Sequence, residues 1–143
     1  MNKINISDAS KDDFKDIAKH KKEFDISIPD KNTHTLVART PLGELIGFVE
    51  LSYSKSKFIE VKRIAVRGKY KRIGVGRKLM GIVRAIAIKR NQKILLNSST
   101  YTDAQNFWKI RQGFKSTGEK GRFDLLEELA LKPKSVKRVR KRK

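Results

Sequence analysis

The run Lys71-Arg72-Ile73-Gly74-Val75-Gly76-Arg77-Lys78 sets two glycines among four cations. Glycine removes Cβ atoms where backbone amides must close around a ligand, and a helix starting at such a turn aims its unpaired N–H groups at the same point. Residues of these types at this spacing suit phosphate. Two phosphate motifs are nevertheless excluded. A P-loop ends in Gly-Lys-Ser/Thr after a four-residue gap, which this run lacks, and the dinucleotide fingerprint needs a third glycine where this chain has Leu79.

Other reactive side chains are few. The chain has no cysteine, which removes disulfides, a thiolate nucleophile and a cysteine zinc site, and fits a reducing compartment. Its two histidines, His20 and His34, fall in a predicted helix and at the start of a predicted strand, so no metal pair is expected. Ser98, Ser99 and Thr100 form no triad pattern with either histidine and read as strand-end and loop residues.

Charge is the most unusual global property. The sequence holds 35 Lys and Arg against 15 Asp and Glu, a formal +20. Residues 132–143 contribute eight basic residues and no acid, which leaves +12 on residues 1–131. Between Lys55 and Lys93 fourteen basic residues surround a single acid, Glu60. An anionic ligand or partner belongs near that stretch. At 143 residues and 38% hydrophobic content the chain suits one domain with one core. No apolar run approaches a membrane span, nor does the N-terminus resemble a signal peptide, so a soluble cytoplasmic protein is expected.

The elements that must position the glycine turn can be read from periodicity. Ile4 and Ile6 alternate with polar residues, and Ser7 to Ser10 offers capping side chains before Phe14, Ile17 and Ala18 at helical spacing. Residues 25–32 read as a loop. Thr35 to Arg39 and Leu45 to Tyr53 are predicted strands joined by Pro41-Leu42-Gly43-Glu44, and Phe58 to Val66 is a third consecutive strand after a turn at Ser54 to Lys57. After Gly76 the period becomes helical through Leu79, Met80, Val83, Ile86 and Ala87 to about Arg90. A buried strand at Lys93 to Ser98 and a helix from about Thr102 to Arg111 follow. Phe114 to Leu131 reads as two strands with Gly118 and Gly121 bracketing their turn, although Leu125, Leu126, Leu129 and Ala130 would also suit a short helix. Residues 132–143 are expected to be a disordered basic tail.

The basic glycine turn resembles the acyl-CoA loop of the GNAT superfamily, whose pattern is Arg or Gln, two residues, Gly, one residue, then Gly or Ala. Lys71, Gly74 and Gly76 occupy those positions, with lysine as the departure, and Tyr70 supplies an aromatic beside them. The run from Ala104 through Phe107-Trp108 to Gly113-Phe114 resembles the family's helix-to-strand segment, one residue longer than usual. The order of elements is also similar. The resemblance implies an α/β (α+β) fold: a mixed central sheet of about six to seven strands, flanked by helices and splayed between the fourth and fifth strands. It implies a GNAT N-acetyltransferase domain at residues 1–131.

The same resemblance implies acetyl-CoA as cosubstrate, no metal, and transfer of acetyl to a primary amine by direct attack. It places the diphosphate on Lys71, Arg72, Ile73, Gly74, Val75, Gly76, Arg77 and Lys78, the pantetheine arm along Ile64, Ala65 and Val66, and Phe107 at the cofactor. The Ile64 amide is implied as oxyanion donor. Glu60, fourteen residues before Gly74, stands where several relatives keep a glutamate base, although strand alternation places Lys62 on its face. Many relatives protonate the thiolate with a tyrosine, where this chain has Trp108 or Lys109; an indole cannot serve as that acid, which leaves Tyr101 from the preceding loop, or solvent, to supply the proton. The basic surface disfavours polyamine and aminoglycoside acceptors and favours an amine on a protein or nucleic-acid partner. Alternatives are an aminoacyl-tRNA-acetylating toxin and a nucleic-acid-binding module on this scaffold, in which the tail neutralises phosphates.

Overall fold

A computed structural model describes residues 3–24, 33–71, 73–99, 104, 106–120 and 126–133. The expected loop at 25–32, the turn at 121–125 and most of the basic tail, 134–143, lie outside the described residues.

Strand β1 (Asn5–Asp8) leads into helix α1 (Lys11–Lys19) and a short α2 (Lys21–Phe24). The start of α1 is fixed by a reciprocal capping box, in which Ser10 Oγ accepts the Asp13 amide at 3.2 Å while the Asp13 carboxylate accepts the Ser10 amide at 2.8 Å. Strands β2 (His34–Arg39), β3 (Leu45–Ser52) and β4 (Phe58–Val66) then run consecutively antiparallel, as the turn chemistry predicts. Helix α3 (Val75–Arg90) carries the chain to β5 (Lys93–Ser99), parallel to β4, because only a crossover of this length can join parallel neighbours. A π-helix (Asn106–Arg111), β6 (Lys115–Lys120) and β7 (Leu126–Leu131) complete the fold. The sheet has seven strands in the order β1-β2-β3-β4-β5-β7-β6. The ambiguous leucine-rich segment is therefore a strand, paired with both β5 and β6. Gly118, expected at the hairpin turn, instead sits inside β6 at φ 89° where the pairing register slips.

Two apolar layers sandwich the sheet. On one face Val75, Leu79, Met80, Val83 and Ala87 of α3 pack on Leu36, Val49, Leu51, Ile59, Val61, Ile94 and Leu96. On the other, Ile17 and Phe24 cover Val37, Leu45, Phe48 and Ala65, with Phe24 and Phe48 edge to face at 5.1 Å. Residues 45–51 of β3 are buried throughout, as a central strand covered on both sides must be. Gly47 lets α3 close on the sheet. A Cβ there would lie 2.9 Å from the Ala65 carbonyl and 3.1 Å from Val75 Cγ1, so any side chain would lift the first turn of α3 from the strands.

Two irregularities shape the centre. Glu50 pairs with Arg63 but Leu51 with Val61, which makes Lys62 an extra residue, a bulge in β4. Strands β4 and β5 pair only from Phe58 and Lys93 to Val61 and Leu96, although β4 continues to Val66 and β5 to Ser99. The sheet is splayed between its fourth and fifth strands.

Candidate active site

The turn after β4 forms a candidate anion cradle. Gly74 is the N-cap of α3 at φ 89°, a left-handed conformation that side chains resist, and it gives the helix no side-chain cap. The first bond into the helix runs from the Lys78 amide to the Gly74 carbonyl at 3.0 Å. The amides of Val75, Gly76 and Arg77 precede it and have no carbonyl one turn back. The contrast with α1 is informative. That helix has a capping box and two acids in its first turn, whereas the first turn of α3 holds no acid and carries Arg77 and Lys78. Lys71, Ile73, Arg77 and Lys78 are exposed around the turn. The Arg77 guanidinium lies 3.5 Å from where a Cβ on Gly74 would sit, and the Phe107 ring lies 3.5 Å from a Cβ position on Gly76. These groups fit a diphosphate: unpaired amides open the helix, the Arg77 guanidinium lies beside Gly74, and no carboxylate stands in the first helical turn. Arg72 lies outside the described residues.

Beside the cradle the splay opens. Alternate residues of Lys62 to Val66 turn their N–H and C=O groups away from β3, toward the side where β5 has left. Ile64 and Val66 are half-buried on the α3 side, and Ala65 faces the opposite layer.

Two carboxylates stand on that opposite face, because Ser52 pairs with Glu60 and Glu50 with Arg63. Glu50 is 0% exposed and accepts hydrogen bonds from Arg63 Nη1 and Thr33 Oγ1. Glu60 is half-buried, and its carboxylate makes no hydrogen bond or ion pair with any described residue. Simple alternation gives it Lys62 as an ion-pair partner, but the bulge interrupts that alternation and Lys62 is exposed. Sequence reading missed Glu50 and Arg63, since their pairing depends on that extra residue.

Downstream, the expected α-helix is a π-helix at Asn106–Arg111. The amide of Gln112 bonds the Phe107 carbonyl five residues back at 3.0 Å, and the Phe114 amide reaches the Trp108 carbonyl at 2.9 Å. The wide turn absorbs the one residue by which this segment exceeds its pattern, because both ends are pinned. Trp108 is 7% exposed between Phe107 and Phe114, with ring centroids at 4.8 and 5.3 Å. Arg84 Nη2 of α3 donates to the Gln112 carbonyl at 2.5 Å and to its side-chain oxygen at 2.8 Å. The indole is thus core, and it holds Phe107 against the cradle. Tyr101 lies outside the described residues.

The entry to the glycine turn is held by charged groups. Arg67, 8% exposed, donates to both Glu23 carboxylate oxygens at 2.8 and 3.1 Å, to Glu44 Oε2 at 3.1 Å and to the Leu45 carbonyl at 3.0 Å. The Tyr70 hydroxyl donates to the other Glu44 oxygen, and Lys69 Nζ lies 3.3 Å from Glu44. The Tyr70 bond, then Lys69, lowers the Glu44 pKa below its ordinary value, and Arg67 does the same to Glu23. The same Glu44 contact raises the Tyr70 phenol.

Elsewhere His20 lies beside Asp16 and Glu23, while His34 sits 2.7 Å from Asp8 and 2.5 Å from the Tyr53 hydroxyl. No cluster suited to a metal occurs among the described residues, nor is any described helix long and apolar enough to cross a membrane.

A family model for an acetyltransferase (GNAT) domain matches residues 3–130. Among solved structures, nourseothricin acetyltransferase is 28% identical over 71% of this chain and 65% of its own, with a TM-score of 0.57. The ribosomal-protein-S18-alanine N-acetyltransferase of Escherichia coli is 15% identical, covering 93% of this chain and 96% of its own, with a TM-score of 0.74. The PaiA N-acetyltransferase of Thermoplasma acidophilum, in complex with coenzyme A, is 16% identical, covering 91% and 99%, also with a TM-score of 0.74. The last two share the fold. No curated protein matches the sequence significantly.

Proposed function

The chain belongs to the GNAT acetyltransferase family, and from that premise we propose that it moves an acetyl group from acetyl-CoA to a primary amine by direct attack in a ternary complex. The observation that carries this reading is the glycine-capped, acid-free start of α3 beside the open end of β4. The amides of residues 72–78 hold the diphosphate, with Lys71, Arg72, Arg77 and Lys78 supplying charge and Phe107 bordering the site. Ile64, Ala65 and Val66 line the pantetheine arm as it enters the splay.

Acetyl-CoA supplies an activated thioester carbonyl. The Ile64 amide donates to the carbonyl oxygen as negative charge develops there, an arrangement that commonly provides a large part of catalysis. Glu60 takes the proton from the attacking amine, directly or through a water. As the C–N bond forms the C–S bond breaks, and Tyr101 gives the departing thiolate its proton. Glu50 is unsuited to the base role because Arg63 and Thr33 occupy it. Trp108 is unsuited to the acid role because it is buried core and an indole is no acid at neutral pH.

The acceptor is an amine on a protein or nucleic-acid-associated partner. A chain of formal charge +20 repels free polycationic amines and attracts amines carried on acidic or phosphate-rich surfaces. Incubation with labelled acetyl-CoA and fractionated cell extract tests this. Label is expected in the protein or RNA fraction; label confined to polyamines would contradict the acceptor class, and no transfer to any fraction would contradict the reaction.

A further inference from the structure

We propose that Arg67, Glu44 and Tyr70 are positioning residues that hold the phosphate cradle in its binding geometry before the cosubstrate arrives. The inference rests on the acyl-CoA reading above and concerns residues that the motif does not include.

The chain between the end of β4 and Gly74 is short, and its first four residues are tied at both ends to one carboxylate. Glu44 closes the β2–β3 hairpin, whose tip is itself fixed by Thr40 and by Arg39 Nη1, which donates to the Gly43 carbonyl at 2.7 Å. One Glu44 oxygen takes Arg67 at the entry of the turn, and the other takes the Tyr70 hydroxyl three residues later. Between them Gly68 to Tyr70 form one turn of 3-10 helix, and the Arg67 amide bonds the Ile46 carbonyl at 2.9 Å. Arg67 also reaches across to Glu23 of α2. An exposed ion pair would contribute little. Here the guanidinium is buried and makes four hydrogen bonds, which tie the backbone leaving the sheet to the β2–β3 hairpin and to α2. Lys71, whose amide bonds the Gly68 carbonyl at 3.3 Å, leaves from that fixed turn.

A cradle ordered in advance loses less conformational freedom on binding, so loosening it weakens affinity without removing any group that touches the ligand. Tyr70→Phe removes one hydroxyl and Glu44→Gln removes one charge, and neither empties the core. Tyr53→Phe is the control. It removes a comparable hydroxyl bond, to His34, beside Arg90 at the far end of α3, about 24 Å of helix from Gly74.

The test is calorimetric titration of the wild type and these three variants with coenzyme A, alongside thermal unfolding of each. Tyr70→Phe and Glu44→Gln are expected to raise the Kd about three- to tenfold, whereas Tyr53→Phe lowers Tm and leaves Kd unchanged. Wild-type affinity in both Tyr70→Phe and Glu44→Gln overturns the positioning role while leaving the acyl-CoA reading intact. Equal weakening by Tyr53→Phe also overturns it, by showing only a general loss of stability. Failure of the wild type to take up coenzyme A overturns both.

Discussion

Glu60 and Glu50 share a face of the sheet and differ in what holds them. Glu50 is fully buried and bound by Arg63 and Thr33, whereas the Glu60 carboxylate has no partner among the described residues. A base must be free to accept a proton, which favours Glu60 over Glu50 as the base of the proposed mechanism. Glu60→Gln is expected to lower kcat about a hundredfold or more while leaving the Kd for coenzyme A unchanged; a kcat within about twofold of wild type would remove Glu60 from the mechanism. Glu60 was legible from sequence as the lone acid in a basic stretch. Glu50 was not, because nothing in the residue order announces the extra Lys62 that brings Arg63 opposite it. Arg67 escaped notice for a similar reason. Its carboxylate partners lie 44 and 23 residues away, at distances no local pattern encodes.

At the scale of elements, the alternating strands, the first hairpin and the long amphipathic helix were all readable, because period and turn chemistry are local properties. The order of strands at the far edge was not, since β7 inserts between β5 and β6 through long-range pairing. The π-helix is an intermediate case. The sequence shows one residue too many between Phe107 and Gly113, but only packing decides where it goes: Trp108 is locked between two rings and Arg84 holds the Gln112 carbonyl, so the helix widens between them. Gly47 tests the matching claim about α3. Gly47→Ala places a methyl 2.9 Å from the Ala65 carbonyl, which cannot move freely within the sheet. The substitution is expected to destabilise the fold by about 1–3 kcal/mol, read from urea unfolding, and a neutral result would show that α3 sits less tightly on β3 than described.

The whole molecule is strongly cationic, yet much of its acid is committed to internal ties. Asp13 binds Arg39, Glu23 binds Arg67, and Glu44 binds Tyr70, Lys69 and Arg67. Burial alone would raise the Asp13 pKa, but the Ser10 amide and Arg39 outweigh it and the net shift is downward, as it is for Glu23 and Glu44. Carboxyls depressed in the folded state contribute stability above their unfolded pKa, near 4, and lose it as pH falls through the lower folded value. The urea midpoint is therefore expected to hold between about pH 7 and 5 and to fall below about pH 4, with a smaller fall in a Glu23→Gln, Glu44→Gln double variant; a midpoint that rises on acidification would contradict these ties. Lys71, Arg77 and Lys78 are exposed around the start of α3, where the anionic part of the cosubstrate is proposed to bind. Calorimetric titration with coenzyme A, comparing the wild type with Gly76→Glu, addresses that placement most directly. A Cβ at Gly76 meets only ordinary contact with Phe107, so the variant is expected to fold with a carboxylate added in the first turn of α3. Saturable one-to-one binding by the wild type and loss of binding in Gly76→Glu are expected; no uptake by folded wild type, or equal uptake by both proteins, would contradict that placement.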